Sequence, residues 1–149
     1  MTVCSYVGFV AAFPAGDDSD NPPGIELAEF VTAELRSAGF NSGRPEDREG
    51  WAWEFITIHK DCEIQSIVGL VDDMKATPPR QWLITNDLQS GFFARLIGGK
   101  KLASHHSTVI HEFCSALNRI MHTDSRFTHV VWYNKDTFDM PGDQSGMVP

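Results

Sequence analysis

The sequence predicts an α+β domain built on a mostly antiparallel sheet, and three observations lead to this fold class. Its 149 residues are close to the commonest size of a single domain. Strand-like and helix-like segments follow one another in the order β-α-β-β-β-α-β. Both helix-like segments carry one apolar stripe, so two main helices packed on one face of the sheet would bury each stripe. We therefore predict a single domain over residues 1–138 and a flexible tail over residues 139–149, which is rich in Gly, Pro and Asp.

The first strand and the first helix are predicted from their apolar patterns. Residues 3–13 are mostly apolar and lack the helical period, which indicates a buried strand. Residues 25–38 show the helical period instead. Their apolar stripe consists of Leu27, Val31 and Leu35. Gly39 is expected to end this helix, because glycine accepts the left-handed conformation that often follows the last turn.

A β-hairpin is predicted after a polar loop at residues 41–50. Residues 51–59 alternate, and both of their faces are largely apolar, which is typical of a strand in the middle of a sheet. One face holds Trp51, Trp53 and Phe55, and the other holds Ala52, Ile56 and Ile58. Lys60 and Asp61 can turn the chain into a second strand at residues 63–71, so we expect the two strands to pair antiparallel.

The second half of the chain is predicted to add two strands and a long helix. A short strand at residues 81–86 precedes one or two helical turns at residues 92–97. Ser107 is a candidate N-cap for a helix that extends to residue 122. Residues 127–133 are rich in β-branched and aromatic side chains, which favours a last strand.

Charge and cysteine content exclude several classes of protein. The formal net charge of −8 repels polyanions, so we expect neither nucleic acid nor an anionic membrane as partner, and a basic protein is the better candidate. No apolar run approaches the roughly 18 residues of a membrane span, and the first residues lack a signal-peptide pattern. The three cysteines are odd in number and form no Cys-x-x-Cys pair, which favours a reducing compartment. The sequence thus predicts a soluble, cytoplasmic protein without a cofactor.

One segment has the residue types of a metal site but lacks the spacing. His111 is followed by Glu as in the zincin pattern His-Glu-x-x-His, yet Ser115 stands where the second histidine is needed. Cys114 shares a helical face with His111, and no third ligand accompanies them at a workable spacing. A small metal-binding protein or enzyme that uses His105, His106, His111 and Cys114 is one alternative. We favour a protein that is not an enzyme and that carries no stoichiometric zinc.

Acidic side chains in three predicted loops are the candidate partner-binding residues. They are Asp17, Asp18, Asp20, Glu46, Asp47, Glu49, Asp72 and Asp73. If the three loops converge, they form an anionic patch that would attract a basic partner. The leading hypothesis is a non-enzymatic acidic protein-binding module, in its most concrete version an immunity-type inhibitor of a basic bacterial toxin. A second alternative is a structural or regulatory homo-oligomeric subunit that associates through aromatic residues near Trp132 and Tyr133.

The sequence also resembles a set of small uncharacterised bacterial proteins. The shared features are an acidic pair, Glu46 and Asp47, shortly before Gly50 and Trp51, and a last strand that ends on a tryptophan. The resemblance extends over residues 25–138. It implies a bacterial, cytoplasmic origin, and it implies no activity, cofactor or catalytic residue.

Overall fold

A computed structural model describes residues 3–14, 22–71, 79–89 and 100–136, together with residues 138, 146, 148 and 149, and the side chains from residue 104 onward in the second helix. Within these residues the elements are β1 (Tyr6–Ala11), α1 (Ile25–Ser37), β2 (Asn41–Ser42), β3 (Glu46–Arg48), β4 (Ala52–His59), β5 (Cys62–Leu70), β6 (Arg80–Gln89), α2 (Lys100–Thr123) and β7 (Phe127–Tyr133). The predicted α+β fold class is confirmed: two helices accompany one seven-stranded sheet.

The sheet is antiparallel throughout, in the order β2-β4-β5-β6-β1-β7, and β3 also pairs with β4. The predicted β4–β5 hairpin is confirmed. Lys60 and Asp61 form its turn with φ of 48° and 63°. Two positive φ angles are the signature of the type I′ turn, whose twist matches that of the two strands. The first strand, β1, is inserted between β6 and β7, so the centre of the sheet depends on contacts between distant parts of the chain.

The two faces of the sheet differ in what covers them. Both helices pack on the same face, which we call the helix face, and they contact each other there. The largest fully buried side chains of that layer are Trp82, Trp132, Phe55, Phe113, Leu27, Leu35, Ile64, Ile84, Leu117 and Met121. Neither helix covers the opposite face, which we call the open face. The predicted placement of both helices on one side is therefore confirmed.

Helix α1 ends as the sequence predicts. Gly39 has a φ of 95° and donates its N–H to the Arg36 carbonyl at 3.0 Å. Phe40 donates to the Leu35 carbonyl, also at 3.0 Å. These two bonds form a Schellman motif, which satisfies carbonyls that would otherwise lack a donor. The motif turns the chain into β2, and Phe40 becomes part of the core.

Helix α2 is longer than predicted, and the prediction of Ser107 as its N-cap is wrong. The helix begins at Lys100, and Ser107 lies inside it. Lys, Leu and Ala before Ser107 are good helix formers, so the local cap signal does not decide the boundary. The hydroxyl of Thr108 is accommodated in the helix interior, because it donates to the Ser104 carbonyl at 3.0 Å.

The predicted polar loop at residues 41–50 contains two short strands, β2 and β3, and this is a second correction. Both pair with β4 and extend the sheet beyond it. The polar sequence concealed them because edge strands are short and exposed to water. The predicted helical turns at residues 92–97 lie outside the described residues.

Two residues near the C-terminus contact the sheet. Gly146 exchanges backbone hydrogen bonds of 2.7 and 3.0 Å with Trp132 on the outer edge of β7. Phe138 packs edge-on against Tyr6 and Tyr133 on the open face. Residues 139–145 lie outside the described residues, and the flexible tail stays a prediction.

Candidate partner-binding surface

The turn between β3 and β4 presents an exposed acidic group with a tryptophan. Glu46, Asp47 and Glu49 are all exposed, and the side chain of Trp51 is 52% exposed. The turn is held by a hydrogen bond of 2.8 Å from the Gly50 N–H to Asp47 Oδ1. Of the three carboxylates, Asp47 therefore has a structural function, whereas no hydrogen bond or ion pair is found for Glu46 and Glu49 among the described residues.

The backbone of this turn moves Trp51 away from its predicted position. Glu49 and Gly50 have positive φ angles of 52° and 80°, which break the alternation of the strand. The Trp51 ring lies above Gly69 on the open face, instead of sharing the helix face with Trp53 and Phe55. The predicted placement of Trp51 is thus wrong.

A hydrogen-bonded network fixes the charges beside the turn. Arg48 forms an ion pair with Glu54 across the β3–β4 pair. Gln65 donates to Glu54 at 2.7 Å and in turn accepts from Gln89 at 2.9 Å. The hydrogen bond from Gln65, followed by the contribution of Arg48, lowers the pKa of Glu54 below its ordinary value. Arg48 is therefore engaged within the chain, and Glu46, which faces Glu54 across the strands, keeps its negative charge toward solvent.

The described residues next to the three acidic segments lie at one end of the sheet, which we call the acidic end. Here β4 and β6 begin and β1 and β5 end. Val71, just before the third acidic segment, donates its N–H to the Gln81 carbonyl at 2.9 Å. Pro22, just after the first segment, accepts a hydrogen bond of 2.9 Å from the Trp53 indole. The acidic residues of these two segments lie outside the described residues; they are Asp17, Asp18, Asp20, Asp72 and Asp73. Their convergence with the β3–β4 turn therefore stays a prediction.

A groove crosses the open face next to the acidic end. Its floor is one row of the sheet in which Gly69 pairs with Leu83, Leu83 with Gly8, and Gly8 with Val131. The row spans four strands, which corresponds to about 14 Å at the usual strand spacing. Aromatic rings pack on the two glycines of the row: Trp51 lies above Gly69, and Cε2 of Tyr133 would be 3.3 Å from a β-carbon added at Gly8.

Apolar side chains border this groove at both of its ends. Trp51 and Val71 stand at the β4 side, around a small recess of about 180 Å³. Tyr133 and Phe138 stand at the β7 side, and the wider part beside them has a volume of about 500 Å³. Val71 and Leu83 line both parts, so the two parts adjoin. Trp51 belongs to the acidic turn and to the groove, and it joins the two into one surface.

The residues of the metal alternative are not brought together. Cys114 is fully buried in the core, and burial raises the pKa of its thiol far above the ordinary range. His105 is exposed, and its Nε2 donates to the Lys60 carbonyl at 3.2 Å. His106 lies beside His105 at a ring distance of 6.3 Å. Among the described residues, no three His, Cys, Asp or Glu side chains converge as metal ligands would, His111 included.

Trp132 and Glu112 both form hydrogen bonds within the fold. Trp132 is fully buried, and its indole donates to Asn118 Oδ1 at 2.9 Å, so Trp132 itself is not available for self-association. Association through exposed aromatic residues near Trp132 and Tyr133 stays a prediction. Glu112 links α2 to the hairpin turn, with Oε1 accepting from Lys60 at 2.8 Å and Oε2 lying 2.9 Å from His59 Nε2. These bonds, Lys60 first, lower the pKa of Glu112.

Sequence reasoning missed the groove entirely. Gly8 and Gly69 are glycines inside strands, and such glycines often mark a place where another group approaches the backbone closely. That signal is present in the sequence, but only the strand order brings Gly8 and Gly69 into one row. In the part of the chain that the structure describes, neither helix is long and apolar enough to cross a bilayer.

No protein-family model, curated protein or solved structure matches this chain at a significant level. The resemblance to small bacterial proteins, and with it the bacterial origin, stays a prediction. Function is therefore inferred from the geometry of the described residues.

Proposed function

We propose that this chain is a non-enzymatic module that binds a basic protein, and that the partner is a basic toxin whose activity it blocks, as an immunity protein does. One observation carries the proposal. The described residues next to all three acidic segments lie at the same end of the sheet, around an exposed tryptophan. Tryptophan is enriched among residues that dominate binding energy, and acidic surroundings increase the association rate of a basic partner.

The net charge of −8 supports the same proposal. A surface of one sign steers an oppositely charged partner, and the effect weakens with salt because the Debye length is about 8 Å at physiological ionic strength. A carboxylate surface also resembles the phosphates that a nuclease recognises, so it can occupy the basic cleft of such a toxin.

The test uses a basic nuclease toxin encoded beside the gene of this protein. The purified protein should bind the toxin and inhibit its nuclease activity at equimolar concentration. The double variant Glu46→Gln with Glu49→Gln should slow association about tenfold at low ionic strength, and less at physiological salt. It spares Asp47, whose carboxylate holds the turn.

A matched control removes the same charge from the opposite end of the sheet. Asp61→Asn with Glu63→Gln changes two exposed acids at the β4–β5 turn, and it should leave the association rate unchanged. Equal slowing by both double variants would mean that only total charge matters. That result, or failure to inhibit the toxin, would contradict the proposal.

A further inference from the structure

The groove on the open face has the features of a site for protein side chains. Its floor residues Gly8, Leu83 and Val131 are half-buried and uncovered by either helix. The row is about 14 Å long, which matches about four residues of an extended chain. A small ligand lying there would keep much of its surface in water, whereas ligand pockets normally bury most of their ligand.

Charge at one end of the groove indicates what kind of chain fits it. Glu46 lies on the open face, because it pairs across the strands with Glu54. Glu49 precedes Trp51 in the same turn and is exposed. Arg48, the cation in this turn, is paired with Glu54. A segment that enters the groove over Trp51 therefore meets two negative charges that are free to attract a cation.

We infer that the groove receives an extended apolar segment of the basic partner, with Lys or Arg next to that segment placed against Glu46 and Glu49. The inference rests on the proposed function, which it deepens by naming the chemistry of the contact. Trp51 connects the charged and apolar parts, so one partner segment can use both. Aromatic and aliphatic side chains would supply the affinity beside the Trp51 and Tyr133 rings, and the acidic turn would supply orientation and association rate.

Gly69 offers a way to block the groove without disturbing the fold. A β-carbon at this position would lie 3.8 Å from the nearest atom, Cζ3 of Trp51, which is an ordinary contact. Gly69→Val should fill the floor beneath Trp51, and the melting temperature and the indole signal of Trp51 check that the fold and the turn are kept. Asn41→Val is the control: it adds the same side chain at an exposed position of β2 that pairs with Ile58 at the opposite end of the sheet.

The probes are three synthetic peptides titrated into the intact protein. The first has the sequence Lys-Arg-Phe-Val-Leu-Phe-Arg-Lys. In the second, Ser and Asn replace the four central residues, and in the third, Gln replaces the four basic ones. Binding is followed by the indole signal of Trp51 in NMR spectra, assigned with Trp51→Phe, and sedimentation measures the oligomeric state of the free protein.

We expect the first peptide to bind at least about tenfold more tightly than either of the others. Gly69→Val should weaken its binding by about tenfold or more, and Asn41→Val should leave it unchanged. The double variant at Glu46 and Glu49 should weaken it mainly at low ionic strength.

Other results separate the failure of this inference from the failure of the proposed function. If the two basic peptides bind equally and Gly69→Val has no effect, the groove is not used, while binding of a basic partner stands. If the uncharged apolar peptide binds as well as the basic one, the partner need not be basic, and both proposals lose their support. A dimer of the free protein that Gly69→Val dissociates would mean that a second copy occupies the groove, which overturns the inference.

Discussion

The close packing of Gly24 against Trp82 at the acidic end gives a quantitative prediction. Gly24 is the N-cap residue of α1 and has a φ of 99°. A β-carbon there would lie 2.6 Å from Cζ3 of Trp82, and that ring is 1% exposed and cannot move aside. Gly24→Ala should therefore combine the cost of a left-handed alanine with that of an overpacked core.

A second glycine separates these two costs. Gly39, at the other end of the same helix, has a φ of 95°, and no heavy atom of the described residues lies within 4 Å of its added β-carbon. Gly39→Ala should thus show the backbone cost alone, about 1–2 kcal/mol. Gly24→Ala should add about 1–3 kcal/mol for overpacking, for a total of about 2–5 kcal/mol.

Urea unfolding of the two variants and the wild type measures the free energies of unfolding. Gly24→Ala should lower the free energy of unfolding by at least about 1 kcal/mol more than Gly39→Ala does. For a chain of this size, that difference corresponds to a melting temperature lower by at least about 2 °C. Replacing Trp82 by Leu should remove the excess, since the clash requires the ring. Equal losses at the two glycines, or an excess that persists with Leu at position 82, would refute the packing described here.

Four other outcomes are expected. Asp47→Ala should lower the free energy of unfolding by about 1 kcal/mol, whereas Asp47→Asn, which keeps the acceptor oxygen, should not; urea melts decide this. Asp61→Gly should raise stability by about 0.5–1 kcal/mol in the same assay, since glycine relieves the positive φ; a loss would contradict the turn type. Cys114 should resist alkylation until the protein unfolds, as mass spectrometry would show, because its thiol is buried and its pKa is raised. Glu112→Gln should cost at most about 1 kcal/mol at neutral pH. Because hydrogen bonds from Lys60 and His59 lower the Glu112 pKa in the folded state, the difference from wild type should shrink as the pH falls and vanish once Glu112 is protonated in the folded state as well. A difference that persists in acid would exclude this cause.

Local patterns were sufficient to predict the helices and the central hairpin. The stripe of α1 and the glycine after it act within one segment of chain, and so do the alternation and the turn of the β4–β5 hairpin. The stripe and the alternation show which side chains are buried, and the glycine and the turn residues show where the chain changes direction. The short strands β2 and β3 escaped prediction because their pairing with β4, rather than their composition, makes them strands. The first residue of α2 was not predicted for a related reason. Ser107 caps a helix only where no helical residues precede it, and the residues before Ser107 are helical.

The candidate site was harder to predict, because its two parts arise in different ways. The acidic turn is visible in the sequence as charge, but the position of Trp51 depends on the positive φ of Glu49, a conformation that few non-glycine residues adopt. The groove depends on the insertion of β1 between β6 and β7, which brings Gly8 next to the row of Gly69. No local pattern encodes a contact between residues so far apart in the chain.

Acidic residues of equal charge have different functions within the acidic turn. Asp47 and Glu49 are two residues apart and carry the same charge, yet Asp47 accepts the Gly50 N–H and Glu49 does not. Replacement of Asp47 by a residue without an acceptor would change the position of Trp51 together with the charge, so weaker binding in such a variant could not be assigned to either cause. Glu46 and Glu49 are free of this ambiguity. Trp51 belongs both to the acidic turn and to the groove. Attraction of a partner and contact with it are therefore separated by two different variants. Glu46→Gln with Glu49→Gln removes the charge, and Gly69→Val fills the apolar floor.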